Sequence, residues 1–232
     1  AGLDPRAVVL ARATLELPAG TEAGAPLNLS LPVPGLPRWS PAAPRLGALI
    51  VRREGTGLTH ARRLGYRQVS LDAEGLHLNG ARQPLRGVLY QPHWPGTGGV
   101  TPSPAALAEE VAAMRRLGFD FVRTHVRPAP PAFLDACDEQ GLLVLAEPAI
   151  GWLDDDPGLA ARLHHEIQWM VARDHHHPSI VAWCVLNELS GEAYRYGEEL
   201  ALALAAADPD ARPVLEDSGA FFGGRYVPAG GD

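Results

Sequence analysis

The feature that most constrains the fold is an alternation of short apolar runs with helical patterns, which begins near Pro84 and continues toward the C-terminus. It predicts about five strands and four helices in roughly 150 residues. Apolar strands that alternate with helices form a parallel sheet covered by helices, so the sequence predicts an α/β fold. The predicted strands are PLRGVLY, FDFVRTH, LLVLAEP, SIVAWCVLNE and RPVLED.

Capping residues and glycines mark the helices between these strands. Ser103 and Pro104 supply an N-cap and a first-turn proline for the first helix, which Gly118 ends. Gly141 ends the second helix, and Ser190 is the predicted cap of the fourth. Roughly 150 residues are fewer than the roughly 250 of an eight-stranded barrel. The pattern alone therefore leaves open a doubly wound sheet and an incomplete barrel.

The part of the chain before this alternation lacks helical periodicity and is rich in proline. The runs ATLEL, LNLSLPV and ALIVRR alternate between apolar and polar residues and lie between Pro/Gly turns, so they predict strands of an antiparallel sheet or sandwich. Farther along, QVSLDAEGLHLNGARQPL predicts a hairpin with Asn79-Gly80 as its turn.

Charge and composition exclude several classes of partner. The 20 basic and 27 acidic residues give a net charge of -7 without a long run of one sign, which predicts no nucleic-acid partner. No apolar run reaches the roughly 18 to 20 residues that span a bilayer, so no membrane partner is expected. Cys137 and Cys184 lack CxxC partners and are predicted to be buried small hydrophobic residues.

The compartment depends on what precedes Ala1. The N-terminus lacks the basic start and apolar core of a signal peptide. Because the sequence begins with Ala rather than Met, it is typical of a trimmed or internal piece, and a signal peptide could lie upstream. We favour a bacterial cytoplasm, with secretion open, and the sequence equally leaves open a homo-oligomer.

The histidines invite a metal-site interpretation that their spacing does not support. His164 and His165 are adjacent, so they point apart on a helix, and Trp169 stands where an HExxH motif needs its second histidine. The histidines at 175–177 lie between a predicted helix and a predicted strand. There is no GxGxxG after the first strand and no Walker loop. The sequence predicts no metal and no cofactor.

Glu188 differs from the other acids because it ends the apolar run SIVAWCVLN. Reacting groups collect at the carboxyl ends of strands in parallel sheets and barrels. Leu186 and Leu189 would desolvate this acid and raise its pKa, so that it could give a proton to a leaving group near neutral pH. The alternative is that Glu188 caps the following helix. Asn187 beside it would offer an amide either to a ligand or to the next loop.

A family resemblance accompanies these residues. RDHHHPSIVAWCVLNE is similar to the R-D-x-N-H-P-S-I-x-x-W-x-x-x-N-E of glycoside hydrolase family 2, which includes β-galactosidases, β-glucuronidases and β-mannosidases. RWSPAAPRL resembles the W-S-P-x-x-P-x-L of the family's immunoglobulin-like domain, and LGYRQV its G-F-R junction. LHLNGARQPLRGV and FLDACDEQGLLVLAE resemble segments that lead into and through the barrel. The resemblance implies a partial (β/α)8 TIM barrel of about five strands over residues 71–232, preceded by the C-terminal part of an immunoglobulin-like β-sandwich over residues 1–70.

The resemblance also implies roles for individual residues. Glu188 matches the general acid/base of a retaining mechanism, and Asn187 matches the residue that binds the hydroxyl next to the reacting carbon. Arg123 matches the arginine of R-T-S-H-Y-P, which supports the catalytic carboxylates, whereas His125 stands one place before the histidine of that motif. His93 and Trp152 lie at the predicted barrel mouth. The predicted substrate-binding residues are Asn187, Arg123, His125, His93 and Trp152.

Two departures limit what the piece can do. Gly151 stands where some β-galactosidases carry a magnesium-binding glutamate, so no metal is expected there. A retaining enzyme needs a second carboxylate about 5 to 5.5 Å from the first, which in the family lies on the seventh strand; the surroundings of Glu216 do not match it, and Glu147 is predicted to be structural. We expect the parent protein to hydrolyse β-glycosides of a carbohydrate substrate and this piece alone to be inactive. The alternative is a carbohydrate-binding or degenerate glycosidase-like protein.

Overall fold

The computed structural model describes residues 9–16, 20, 29–57, 59–151, 153, 156–188, 196–219 and 226–227. The chain divides into two compact units, residues 1–37 and 38–232. In the described parts of the first unit no strand forms, so the strands predicted at ATLEL and LNLSLPV are wrong where they can be checked. Pro32, Pro34 and Pro37 each lack the backbone N–H that a strand ladder needs, which explains the second of these. The immunoglobulin-like domain and the boundary at residues 70/71 stay predictions.

Short antiparallel strands open the second unit. The strand predicted at ALIVRR is β1 (Gly47–Arg52), which pairs with β2 (Thr59–Leu64). β3 (Val69–Asp72), β4 (Gly75–Leu78) and β5 (Ala81–Arg82) form a separate three-stranded antiparallel sheet. Asn79 and Gly80 have φ of 56° and 82°, as a two-residue hairpin turn between β4 and β5 requires. The predicted hairpin is confirmed.

The largest sheet contains five parallel strands, so the predicted α/β fold is confirmed. They are adjacent in chain order, and a short β11 (Tyr226–Val227) pairs antiparallel with the last of them. The parallel strands are β6 (Gly87–Tyr90), β7 (Phe121–Thr124), β8 (Leu143–Ala146), β9 (Ile180–Asn187) and β10 (Val214–Ser218).

Helices connect these strands. Ser103 caps the first one as predicted, because its Oγ accepts the backbone N–H of Ala106, and Gly141 ends the second with φ of 72°. The predicted cap Ser190 lies outside the described residues. Among the described residues no helix combines the length and the apolar character needed to cross a membrane. The helices are α1 (Pro104–Arg116), α2 (Pro131–Gln140), α3 (Leu159–Asp174) and α4 (Gly197–Ala207).

The main core lies between the sheet and these helices. Val122, Val144 and Val185 on the strands pack in one cluster with helix residues such as Leu107 and Phe133. Both cysteines are buried, as predicted, and burial raises the pKa of the Cys137 thiol. This core fixes the strands and thereby sets where their two ends lie.

A buried hydrogen-bond network joins the chain before the barrel to the amino ends of the strands. Asp138 on α2 accepts hydrogen bonds from His177 Nδ1 at 2.6 Å and from the Ser179 N–H at 3.0 Å. The Trp39 indole donates to the Asp138 carbonyl at 2.8 Å. We call Trp39, Asp138, His177 and Ser179 the amino-end network; all four residues are buried.

Two arginines extend this joint. Arg67 donates to the carbonyls of Pro178 and Ile180, and its Nη1 lies 2.7 Å from Asp210 Oδ2. Arg212 is fully buried and pairs with Asp208. The guanidinium of Arg212 also stacks 4.7 Å above the Trp183 ring. A buried charge is tolerated only when it is paired and hydrogen-bonded, and these pairs meet that condition.

Candidate active site

The candidate site lies at the opposite ends of the strands, where β7, β8, β9 and β10 finish. Because neighbouring parallel strands end at the same edge, residues at successive strand ends come together. Ser218 on β10 is in register with Asn187 on β9, and Arg123 on β7 is in register with Leu145 on β8. We call Arg123, Glu147, Asn187 and Ser218 the carboxyl-end network.

Glu147 is the centre of this network. Its side chain is 2% exposed, and Oε1 accepts from Arg123 Nε at 2.5 Å and from Ser218 Oγ at 2.8 Å. Oε2 accepts the backbone N–H of Val126 at 3.0 Å. Both carboxylate oxygens are therefore occupied by donors, which supports the structural role that the sequence predicts for Glu147.

Arg123 links Glu147 to Asn187. Its Nη2 donates to Asn187 Oδ1, and Ser218 Oγ lies 3.4 Å from the same oxygen. Since Oδ1 accepts from Arg123, the Asn187 Nδ2 faces the other way, which orients its two N–H donors. The structure thus brings together two of the predicted substrate-binding residues, Arg123 and Asn187.

Glu188 follows Asn187 in a left-handed backbone conformation, with φ of 52°. Its side chain is exposed, so the burial predicted from its apolar neighbours is wrong. The turn carries the residue out of the buried strand, which its neighbours in sequence could not indicate. The alternative role, as a cap of the following helix near Ser190, falls on residues outside those that the structure describes.

Two more predicted residues line a cavity at this edge of the sheet. The cavity measures about 520 Å³ and includes His93 and His125. The Nδ1 atom of His125 is buried and has no hydrogen-bond partner among the described residues. Arg127 lies beside them, with its guanidinium 5.6 Å from the centre of the Trp94 ring. The remaining lining residues are Gln91, Pro92 and Val126.

Trp152, the last predicted substrate-binding residue, lies outside the described residues.

The histidines make contacts of their own within the described chain. His164 Nε2 lies 2.8 Å from Glu199 Oε1. The ligand atoms of Asp135, Asp138 and His177 lie within 4.8 Å of one another. However, Asp138 is already bonded to His177 and the Ser179 N–H, and Asp135 is exposed. Two of the three residues, Asp138 and His177, belong to the amino-end network, which lies at the opposite ends of the strands from Glu188.

Sequence analysis missed Asp217 and Ser218 as members of the site. Both are buried at the end of β10, and neither belongs to a recognisable motif. The signal that could have found them is their place at the end of the predicted strand RPVLED and directly after it, as Asn187 stands at the end of β9.

The fold and this site define a class of protein: an α/β barrel whose functional groups stand at the carboxyl ends of its strands. Residues 69–221 match the family model described as glycosyl hydrolases family 2, TIM barrel domain. That match covers more than half of the chain. The chain belongs to glycosyl hydrolase family 2.

Individual relatives agree with this assignment. The chain is 31% identical over 205 residues to beta-galactosidase 2 of Enterobacter cloacae, which covers 83% of this chain and 20% of that protein. A GH2 beta-galacturonidase from Eisenbergiella tayi bound to galacturonate has a TM-score of 0.73 and 29% identity, covering 81% of this chain and 34% of that one. The beta-glucuronidase of Parabacteroides merdae has a TM-score of 0.65 and 25% identity, covering 76% of this chain and 24% of that one. The chain spans about a fifth of the length of the curated relatives it matches.

Proposed function

We propose that the protein to which this chain belongs hydrolyses β-glycosidic bonds with retention of configuration, and that Glu188 is its general acid/base. The observation that carries the proposal is the placement of Glu188: an exposed carboxyl group at the carboxyl end of β9, directly after an Asn187 held by Arg123. The relatives support it, since they are named beta-galactosidases, beta-glucuronidases and a beta-galacturonidase.

The chemistry has two steps. In the first, the Glu188 carboxyl gives its proton to the glycosidic oxygen as the bond to the anomeric carbon breaks, and a second carboxylate attacks that carbon. In the second, the Glu188 carboxylate takes a proton from water while the water oxygen displaces the second carboxylate. Glu188 ends the cycle protonated, as it began.

The described acids at this edge do not provide the second carboxylate. Both oxygens of Glu147 are occupied by donors, and Asp217 accepts the backbone N–H of Glu188 at 2.8 Å. Glu216 is buried against the start of α4, where a Cβ on Gly197 would lie 2.5 Å from Glu216 Oε1. We infer that the nucleophile comes from a part of the protein outside this chain.

The other residues bind and orient the sugar in this proposal. Asn187 offers the N–H donors of its fixed amide to a ring hydroxyl, and Arg123 holds that amide in place. His125 and His93 line the cavity beside them and contact the substrate there. For Trp152 the role at the barrel mouth stays a prediction.

The direct test is Glu188→Gln in the full-length protein. General acid catalysis contributes roughly 10²- to 10⁴-fold, so turnover of glycosides with poor leaving groups should fall by about that factor. Because Glu188 is exposed, the unfolding transition should not move. Glu198→Gln, which alters an exposed acid on α4, is the matched control. Unchanged activity in Glu188→Gln would remove Glu188 from this role.

A second candidate function is carbohydrate binding without turnover. It is favoured by the lack of a suitable second carboxylate among the described acids. Isothermal titration of the full-length protein with galactose and glucuronate, beside a hydrolysis assay of the same protein, separates the two functions, because binding without turnover supports only the second. Under our proposal the piece alone does not hydrolyse glycosides, and Glu188-dependent hydrolysis by it would place the nucleophile within this chain.

A further inference from the structure

A second acid contacts Glu188 through the backbone rather than through its carboxyl group. Asp217 is 1% exposed, and its Oδ1 accepts the backbone N–H of Glu188 at 2.8 Å. The Ser218 carbonyl accepts the same N–H at 3.1 Å. The backbone N–H of Glu188 therefore has two acceptors at the end of β10, and one of them is a carboxylate.

These two hydrogen bonds hold Glu188 in an unfavourable backbone conformation. A residue other than glycine rarely adopts a positive φ, because its Cβ crowds the neighbouring carbonyl. Glu188 does so, with φ of 52°. Residues held in such conformations persist only where the surroundings enforce them, and they cluster at functional sites. A hydrogen bond to a charged acceptor is about twice as strong as a neutral one, so a carboxylate suits this task.

The next residue of the same segment leaves room for the Glu188 side chain. Gly219 has φ of 82°, and a Cβ built on it would lie 3.1 Å from Glu188 Cγ and 3.4 Å from Glu188 Oε1. A methyl group at this position would be strained at this φ and would require the Glu188 side chain to shift by a few tenths of an ångström. Asp217 thus holds the backbone of Glu188 while Gly219 admits its side chain.

We propose that Asp217 and Gly219 are positioning residues that set the direction in which Glu188 presents its carboxyl group to the glycosidic oxygen. The proposal rests on the function proposed above for Glu188. In this role the buried Asp217 neither transfers a proton nor contacts the substrate.

The choice of substrate distinguishes a misplaced Glu188 carboxyl group from a general loss of folded structure. Proton donation matters for aryl glycosides with poor leaving groups and hardly at all for 2,4-dinitrophenyl glycosides, whose leaving group departs as an anion. We expect Asp217→Ala in the full-length protein to lower kcat/KM, which reports the first step alone, about 10- to 100-fold for a methylphenyl β-galactoside or β-glucuronide. For the 2,4-dinitrophenyl glycoside of the same sugar, kcat/KM should change less than about threefold.

Further variants keep the result interpretable. Asp217→Asn retains an acceptor oxygen, so it should recover part of the activity lost in Asp217→Ala. Gly219→Ala should give the same dependence on leaving group without touching Asp217, and it stands in if Asp217→Ala does not fold. Asp210→Ala, which removes an acid before the start of β10, is the control and should leave that dependence unchanged.

A double-mutant comparison completes the test. If Asp217 acts through Glu188, then adding Asp217→Ala to Glu188→Gln should cost little more than Glu188→Gln alone. Equal losses for good and poor leaving groups, or fully additive losses, would overturn the positioning role. If Glu188→Gln itself shows no dependence on leaving group, the proposed function fails. If Glu188→Gln shows that dependence and neither Asp217→Ala nor Gly219→Ala does, only this inference fails.

Discussion

The two ends of the parallel sheet each contain a buried carboxylate held by several donors, yet the two networks differ in what surrounds them. At the amino ends, Asp138 is bonded to His177 and Ser179, and these residues are as buried as Asp138 itself. At the carboxyl ends, Glu147 is equally buried, but its partner Arg123 is 22% exposed and the network leads to the exposed Glu188. We propose that similar chemistry serves stability at one end and the placement of reactive groups at the other.

Backbone conformation sharpens the difference. Two residues with positive φ other than glycine flank the carboxyl-end network: Val126, with φ of 50°, and Glu188. Val126 is β-branched, so its conformation is a genuine outlier. Its N–H is held by the Glu147 carboxylate.

The largest effect is expected from Asp138→Ala at the amino ends. The change leaves His177 and the Ser179 N–H buried without their acceptor, and each buried donor left without a partner costs about 1–3 kcal/mol. Urea unfolding of the chain should show that loss. Asp135→Ala, on the exposed face of the same helix, should change the free energy of unfolding by no more than about 0.5 kcal/mol. Equal effects of the two changes would contradict a special role for the amino-end network.

Glu147→Gln, at the carboxyl ends of the strands, should lower activity more than stability. A carboxamide cannot accept from Arg123, Ser218 and Val126 together, so Asn187 loses its fixed orientation. We expect kcat/KM of the full-length protein to fall about 100-fold, or about 2.7 kcal/mol. The free energy of unfolding should fall less than in Asp138→Ala. A large loss of stability with unchanged kcat/KM would show that Glu147 serves stability, and the contrast between the two ends would not hold.

Low pH should destabilise the Asp208–Arg212 contact at the amino ends of the strands. Burial opposes ionisation of Asp208, but hydrogen bonds and charge from Arg212, with the Trp183 indole N–H, outweigh it and lower the pKa of Asp208 to about 2. A folded-state pKa below the ordinary value near 3.9 means that the ionised group favours folding. This contribution, about 2 kcal/mol, is complete above about pH 4 and is lost as the pH falls through about 2.

The measurement for Asp208 is urea unfolding at a series of pH values between 6 and 2. The slope of unfolding free energy against pH below 4 should be smaller in Asp208→Asn than in the unmodified chain. Parallel slopes for the two proteins would show that the Asp208 carboxyl has an ordinary pKa in the folded state.

The smallest effect is expected from Trp39→Phe. The variant loses the indole N–H that donates to the buried Asp138 carbonyl, at a cost of about 1–2 kcal/mol. Trp169→Phe is the matched control, because Trp169 is 46% exposed on α3. Thermal unfolding should separate the two variants, and a shift as large in Trp169→Phe would mean that the hydrogen bond contributes nothing measurable.

The strands and helices of the parallel sheet were predicted well from the sequence, because the signals that mark them are local. An apolar run of strand length reports its own burial, and Ser103 and Gly141 mark helix ends by chemistry within one turn of the chain. The prediction failed for Glu188, because apolar neighbours on a strand do not reveal that the backbone turns left-handed at the next residue. Asp217 and Ser218 were missed for a related reason: strand register, which no local pattern encodes, brings them to Asn187 and Glu188.

The bond between the Trp39 indole and Asp138 also has a consequence for how the chain is made. The five parallel strands are neighbours in the order in which they leave the ribosome, so the preceding strand has already been synthesised when each new one emerges. Trp39 and Arg67 cannot follow that order, since their partners lie 99 and 111 residues later. We expect these early residues to wait, unpaired, until α2 and β9 have been synthesised. Packing of the segment with Trp39 and Arg67, which is synthesised first, is then a late step of folding.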